Sequence, residues 1–237
     1  MDILEPKKAE QPWTFLDLAL VVGMAAPSIL IAALVGKGVS MLVSAKGLVA
    51  MSTQMVLYAC ILASLFAVLR VKHGVGFWSS LGWKVPWRGM LETAITGPVL
   101  ALALAFLAFS LRAPQGAMAL EELISDRASM VAIGVGAVLM GPIFEELLFR
   151  GFAQPLLVRA LGLFGGLFVN ALLFALPHGP QYKWSWQHLL VLAIASMVFG
   201  LIRYRTGSTA ASTLAHAAYN LTFFAALILQ GDKIKAS

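Results

Sequence analysis

Charge is what this chain has least of. Asp, Glu, Lys and Arg make up 12% of its 237 residues, where a soluble domain carries roughly 25%. Hydrophobic residues make up 60%, and mean hydropathy is +0.86. This excludes an ordinary soluble domain and points to an integral membrane protein. Cysteine is almost missing as well. Cys60 stands alone inside an apolar run, so no disulfide can form within the chain and the residue reads as a small packing group. The C-terminal GDKIKAS holds no cysteine, so the chain is not expected to be a prenylation substrate itself. Also absent are H-E-x-x-H, G-x-S-x-G and any pair of aspartates inside apolar runs, where Asp17 stands alone. Gly207-Ser208 with His216 is only a faint serine-hydrolase pattern. The net charge of +6 lies in Lys and Arg that flank apolar runs. Such residues orient spans in a bilayer, and no aromatic-interleaved basic stretch suggests nucleic acid.

What the chain does have is apolar runs of spanning length, since about 20 residues at about 1.5 Å each cross the hydrocarbon. They fall near 13–35, 48–70, 90–111, 129–158, 161–178, 187–204 and 208–230. The expected fold is an all-α, polytopic integral membrane helical bundle with about seven to eight transmembrane helices. It divides into a polar N-terminal tail (1–12), N-terminal transmembrane helices (13–128), a transmembrane core (129–230) and a C-terminal tail (231–237). The first run is too long for a signal-peptide core and reads as an uncleaved span. Residues 70–89 form the longest basic connection, and Trp78, Trp83 and Trp87 suit the membrane interface, with a short amphipathic helix expected there. Counted by alternate sides, Lys and Arg number nine on the N-terminal side and seven on the other, which leans toward a cytoplasmic N-terminus. Gly162-x-x-x-Gly166 and the small residues Gly134, Gly136 and Ala137 suggest close helix packing. Glu121, Glu122 and Asp126 read as a solvated acidic loop, and His73 and His188 as solvent-facing.

Against this background FEELLFRG, residues 144–151, is conspicuous. An ionisable residue at the centre of a spanning helix costs about 2.5–3.5 kcal/mol on insertion scales and is kept where it faces a cavity or a partner. Glu146 and Arg150 are spaced i, i+4, the favourable order for an ion pair on a helix. Glu145 points about 100° away and needs another partner. His178 ends the run NALLFALPH, and His216 and Asn220 share a face of the last span. If spans four and five turn back near Leu161, Glu145 lies 16 residues before the turn and His178 17 after it, so the two are level. Pro142 and Pro177 next to them free backbone groups that are tolerated where they line a cavity. A carboxylate, two imidazoles and an amide can activate water and hold an oxyanion, as peptide hydrolysis without a Ser or Cys nucleophile requires.

These residues carry a family resemblance. FEELLFRG resembles the E-E-x-x-x-R motif, FALPH (174–178) the F-x-x-x-H motif and HAAYN (216–220) the H-x-x-x-N motif of the intramembrane CAAX-protease and bacteriocin-processing family, often called CPBP or Abi. All three stand in the family's order. The resemblance implies an intramembrane endopeptidase in which Glu145 and His178 activate water and His216 and Asn220 stabilise an oxyanion or a metal. Glu146 and Arg150 match the supporting pair, and Phe174 the packing aromatic. It also implies a choice of mechanism: zinc held by Glu145, His178 and His216, or a metal-free glutamate route. The implied partners are membrane lipid and a peptide or protein substrate, prenylated in some members; nucleic acid is not among them, and the implied location is the cell (inner) membrane. Two readings compete: a non-catalytic immunity or scaffold protein that binds a peptide in the same cavity, and a proton-coupled transporter.

Overall fold

The computed structural model describes residues 11–114, 123, 124 and 126–236, with side chains to 229. Glu121 and Glu122 lie outside the described residues. Every regular element described is helical. α1 (Phe15–Gly23) runs into α2 (Ala25–Ser40), and α3 (Lys46–Phe66) returns and ends in a π turn (Ala67–Lys72). The single-turn α4 (Phe77–Ser80) precedes α5 (Met90–Ser110). A long interrupted rod follows: α6 (Arg127–Val135), a π turn (Gly136–Met140), α7 (Gly141–Glu146), a second π turn (Leu147–Ala153) and α8 (Gln154–Ala175). Two 3-10 turns, Leu176–His178 and Pro180–Tyr182, lead to α9 (Trp186–Thr206) and α10 (Thr209–Ala236). The last helix therefore continues through most of the segment read as a C-terminal tail.

Among the described residues six helical stretches are long and apolar enough to cross a membrane, and the fourth, Arg127–His178, is 52 residues long. That stretch is two crossings. Gly162 breaks α8 with φ 72° and ψ 175°, a conformation essentially reserved for glycine. Four residues later, a Cβ on Gly166 would lie 2.5 Å from the Val158 backbone. In a straight helix residues 158 and 166 stand about 12 Å apart along the axis, so the chain has folded back on itself. The G-x-x-x-G is thus a turn glycine followed by a close-approach glycine within one hairpin. With this turn the described residues contain seven crossings, and the chain is an integral multi-pass membrane protein.

The rod containing FEELLFRG sits centrally, with α3 against α6, α10 against α7, and α9 against α8. Short polar contacts fix its two ends. On the N-terminal side Trp13 is buried, stacks on Phe152 with centroids 5.4 Å apart, and donates its Nε1–H to Phe152 O at 3.1 Å. On that side too, Thr209 donates to Gly82 O, so the 70–89 connection caps α10. Its helix is the one turn of α4, with Trp78 and Trp87 exposed. On the opposite side Asp126 caps α6, accepting from Ser129 N (2.9 Å) and Ser129 Oγ (2.6 Å). Those hydrogen bonds hold the Asp126 carboxyl below the ordinary aspartate range. Ser129 Oγ in turn accepts from Gly47 N at 3.2 Å, tying α3 to α6. Gly134 and Gly136 make room for Phe224 and Met51.

Two histidines depart from the solvent-facing reading. His73 Nε2 lies 3.0 Å from Asp17, which is fully buried and also holds Lys72 at 2.5 Å. An aspartate in the first turn of a membrane helix draws in the polar groups within reach, here the Lys72 ammonium and the His73 ring. His188 is half-buried, stacked on Tyr182 at 4.7 Å.

Replacing Gly162 by alanine is expected to destabilise the protein by about 1–3 kcal/mol, because a Cβ cannot adopt that backbone without strain. Unfolding of the purified protein in detergent, compared with an alanine substitution at exposed Leu161, reads this directly.

Candidate active site

The pair expected within FEELLFRG forms. Arg150 Nη1 lies 2.8 Å from Glu146 Oε1, and neither side chain has exposed surface. The contact is oblique, so Nη1 is an ionic rather than an aligned hydrogen-bonding partner. Arg150 Nη2 donates to Ser196 O (3.0 Å) and Ser196 Oγ (2.8 Å) on α9. Its guanidinium carbon lies 4.6 Å from the Phe174 ring centroid and 5.6 Å from that of Phe199. Two charges without water survive only with such a shell of donors, acceptors and π faces. Phe174 is buried, as its packing role requires.

The same Glu146 oxygen faces His216 Nδ1 at 3.0 Å. An ionised carboxylate only accepts, so Nδ1 carries the hydrogen and Nε2 is the free nitrogen. His216 is clamped by Phe199, stacked at 4.7 Å, and Phe174, edge-on at 5.8 Å. Its Nε2 faces Glu145 Oε2 across 3.9 Å. That gap is too long for a hydrogen bond and short enough for one bridging water. The Glu145 side chain keeps 17% of its surface exposed while Glu146 keeps none, so Glu145 is the carboxylate that solvent can reach.

His178 lies on the same aromatic wall, 5.1 Å from Phe174 between ring centroids. Its Nδ1 is 2.9 Å from Phe174 O. A carbonyl only accepts, so Nδ1–H donates and Nε2 is again free. The residue seen face to face with Glu145 is therefore His216, and His178 packs against the Phe174 ring. Asn220 has a different first partner: its Nδ2 donates to Ala137 O at 2.7 Å. Gly141 N bonds Gly136 O in the π register, so the next partner in that register, for Ala137 O, would be Pro142, which has no N–H. Asn220 satisfies the carbonyl that the proline leaves free.

Two residues near Glu145 carry no motif. Tyr58 Oη on α3 donates to Glu145 Oε1 at 2.6 Å. Tyr182 lies in the turn after His178, and burial, with the Glu145 charge adding to it, raises its phenol above the ordinary tyrosine range. It remains a neutral donor. The only sequence signal for Tyr58 was the spacing of Gln54 and Tyr58, two polar groups at i, i+4 in an apolar span.

Among the described residues no three of His, Cys, Asp and Glu gather into a group that could hold a metal ion. Glu145, His178 and His216 are suitable donors in kind, with Nε2 free on both imidazoles, but they do not converge on one point here.

The sequence model of the family described as type II CAAX prenyl endopeptidase Rce1-like matches residues 127–222. Over those residues the chain is similar to the CAAX-protease family. No curated protein and no solved structure gives a match. The matched CAAX-protease segment contains Glu145, Glu146, Arg150, Phe174, His178, His216 and Asn220. It begins after α5, so Tyr58 lies outside it.

Replacing Arg150 by alanine is expected to cost about 3–5 kcal/mol, since it strands a buried carboxylate. Replacing Glu146 and Arg150 together by leucine and methionine should cost much less than the sum of the two single changes. Denaturation of the singles and the double in one detergent gives the coupling energy.

Proposed function

We propose that the chain is an intramembrane endopeptidase of the CAAX type, acting in the cell (inner) membrane on a prenylated, membrane-associated peptide. The observation that carries this reading is the facing of Glu145 Oε2 and His216 Nε2 across 3.9 Å. Both are acceptors, so a water between them gives one hydrogen to each and turns its oxygen lone pair outward toward a substrate carbonyl. Attack on that carbonyl carbon forms the new C–O bond while Glu145 takes the proton. Glu145 then delivers the proton to the amide nitrogen as the C–N bond breaks, leaving a carboxylate and a free amine.

The other residues support these steps. Asn220 spends one Nδ2 hydrogen on Ala137 O, which leaves the second for the oxyanion, and Tyr182 is a neutral donor on the same side. His178, packed on Phe174 with Nε2 free, steers the water or the leaving group. The low dielectric around Glu146 and Arg150 strengthens each of these interactions. A prenyl substrate agrees with the family's description.

The test uses the full chain in phosphatidylglycerol–phosphatidylcholine vesicles with a farnesylated peptide ending in a C-a-a-X sequence. Wild type is expected to release the C-terminal tripeptide, seen by mass spectrometry, and to leave the unfarnesylated peptide intact. Glu145→Gln should lower the rate by about 10²–10⁴-fold without altering folding. Equal rates for wild type and Glu145→Gln would refute the mechanism. Peptide binding without tripeptide release would make the chain a non-catalytic binding member. Chelation and zinc add-back in the same assay decide metal dependence, for which Glu145, His178 and His216 are the donors on offer.

A further inference from the structure

Glu145 has a partner that none of the three motifs contains. The Tyr58 hydroxyl lies 2.6 Å from Glu145 Oε1, and an ionised carboxylate can only accept, so the bond runs from Tyr58 to Glu145. The Tyr58 ring stacks on Phe144, the residue before Glu145, with centroids 4.9 Å apart. Gln54, one turn earlier on α3, is a second polar side chain on the same face as Tyr58. The Tyr58–Glu145 bond thus enters the site from outside residues 127–222. α3 is itself held at both ends, by Gly47 on Ser129 and by Lys72 and His73 on Asp17.

We propose that Tyr58 is a positioning residue of the hydrolytic site: its hydroxyl ties down Oε1 of Glu145 and leaves Oε2 as the oxygen that receives the proton of water. The inference rests on the endopeptidase reading above and adds a residue from the N-terminal helices to it. The two oxygens of a free carboxylate are interchangeable by rotation about its last bond. Here only Oε2 faces His216 Nε2, and a general base acts only when it is held at the reacting proton. A donor on a separate, anchored helix removes the rotation. The same donation would be wasted on a purely structural carboxylate, which Arg150 already supplies with charge at Glu146.

Tyr58→Phe keeps the ring and its stacking on Phe144 and deletes only the hydroxyl. With the farnesylated peptide, kcat is expected to fall about 10- to 100-fold, with KM within about twofold of wild type and an unchanged melting temperature. Infrared difference spectra of wild type minus Glu145→Gln isolate the Glu145 carboxylate, whose stretching band should shift in Tyr58→Phe. Gln54→Leu, which removes the polar neighbour one turn away and keeps the hydroxyl, should show a smaller fall of the same kind and decides the matter if Tyr58→Phe does not fold. Wild-type kcat, an unmoved carboxylate band, or a rate loss that merely tracks a lower melting temperature would each overturn the inference. A wild-type protein that cleaves nothing sinks the endopeptidase reading. A wild type that cleaves while Tyr58→Phe cleaves equally fast sinks this inference alone.

Discussion

The buried Glu146–Arg150 pair sets the terms for everything around it. A carboxylate and a guanidinium four residues apart, both without exposed surface, cannot be tolerated in hydrocarbon unless other elements bring polar atoms and π faces to them. Ser196 comes from α9, Phe174 from the far arm of α8, Phe199 from α9 and His216 from α10. Each contact satisfies part of the pair, and each fixes a helix. The arrangement of the second half of the bundle follows from an electrostatic demand made within one turn of one helix. Glu145, one residue earlier, inherits a rigid setting without being neutralised itself.

Backbone irregularity is the second device. The rod from Arg127 to Ala153 is interrupted by two π turns and Pro142, and such interruptions expose carbonyls that need donors. The Asn220 amide goes to Ala137 O, and the His178 imidazole goes to Phe174 O just before Pro177. These bonds do more than repair the helix. They settle the tautomer of His178 and commit one particular hydrogen of Asn220, so the atoms left over are the ones that chemistry can use. Proline near a motif is thus linked to motif function through the accounting of backbone hydrogen bonds.

Much of this was legible in the sequence because it follows from spacing and depth. The i, i+4 order of Glu146 and Arg150 gave the pair, and equal distances from Leu161 put Glu145 and His178 at one level. The hairpin at Gly162 realises that turn. Spacing does not report which way a ring faces. His178 turns onto the carbonyl of its own helix, and so His216 rather than His178 confronts Glu145. His73 and His188 were misread for the same reason: a histidine in a polar connection looks solvated until the partner that folds over it is known, Asp17 in one case and Tyr182 in the other. The glycine pair was read as a packing surface, whereas Gly162 is needed for its backbone angles and only Gly166 for close approach. Tyr58 was invisible as a site residue because a tyrosine in an apolar span is ordinarily a packing group, and its partner lies 87 residues away.

That distance bears on how the two halves of the chain divide the work. The matched segment supplies the groups with reactive chemistry, yet its carboxylate is oriented by a helix outside it. α3 can do this because both of its ends are tied by polar contacts of a kind that is costly to break away from water. Lys72 and His73 meet a buried aspartate on α1, and Gly47 meets Ser129, which Asp126 fixes in turn. A helix held only by apolar packing could rotate or slide by the fraction of an ångström that separates a positioned base from a misplaced one. Anchoring α3 through ionic and hydrogen-bonded ends removes that freedom, so in the proposed mechanism the N-terminal helices are coupled to the chemistry through Tyr58 while the proposed reacting residues lie in the later half of the chain.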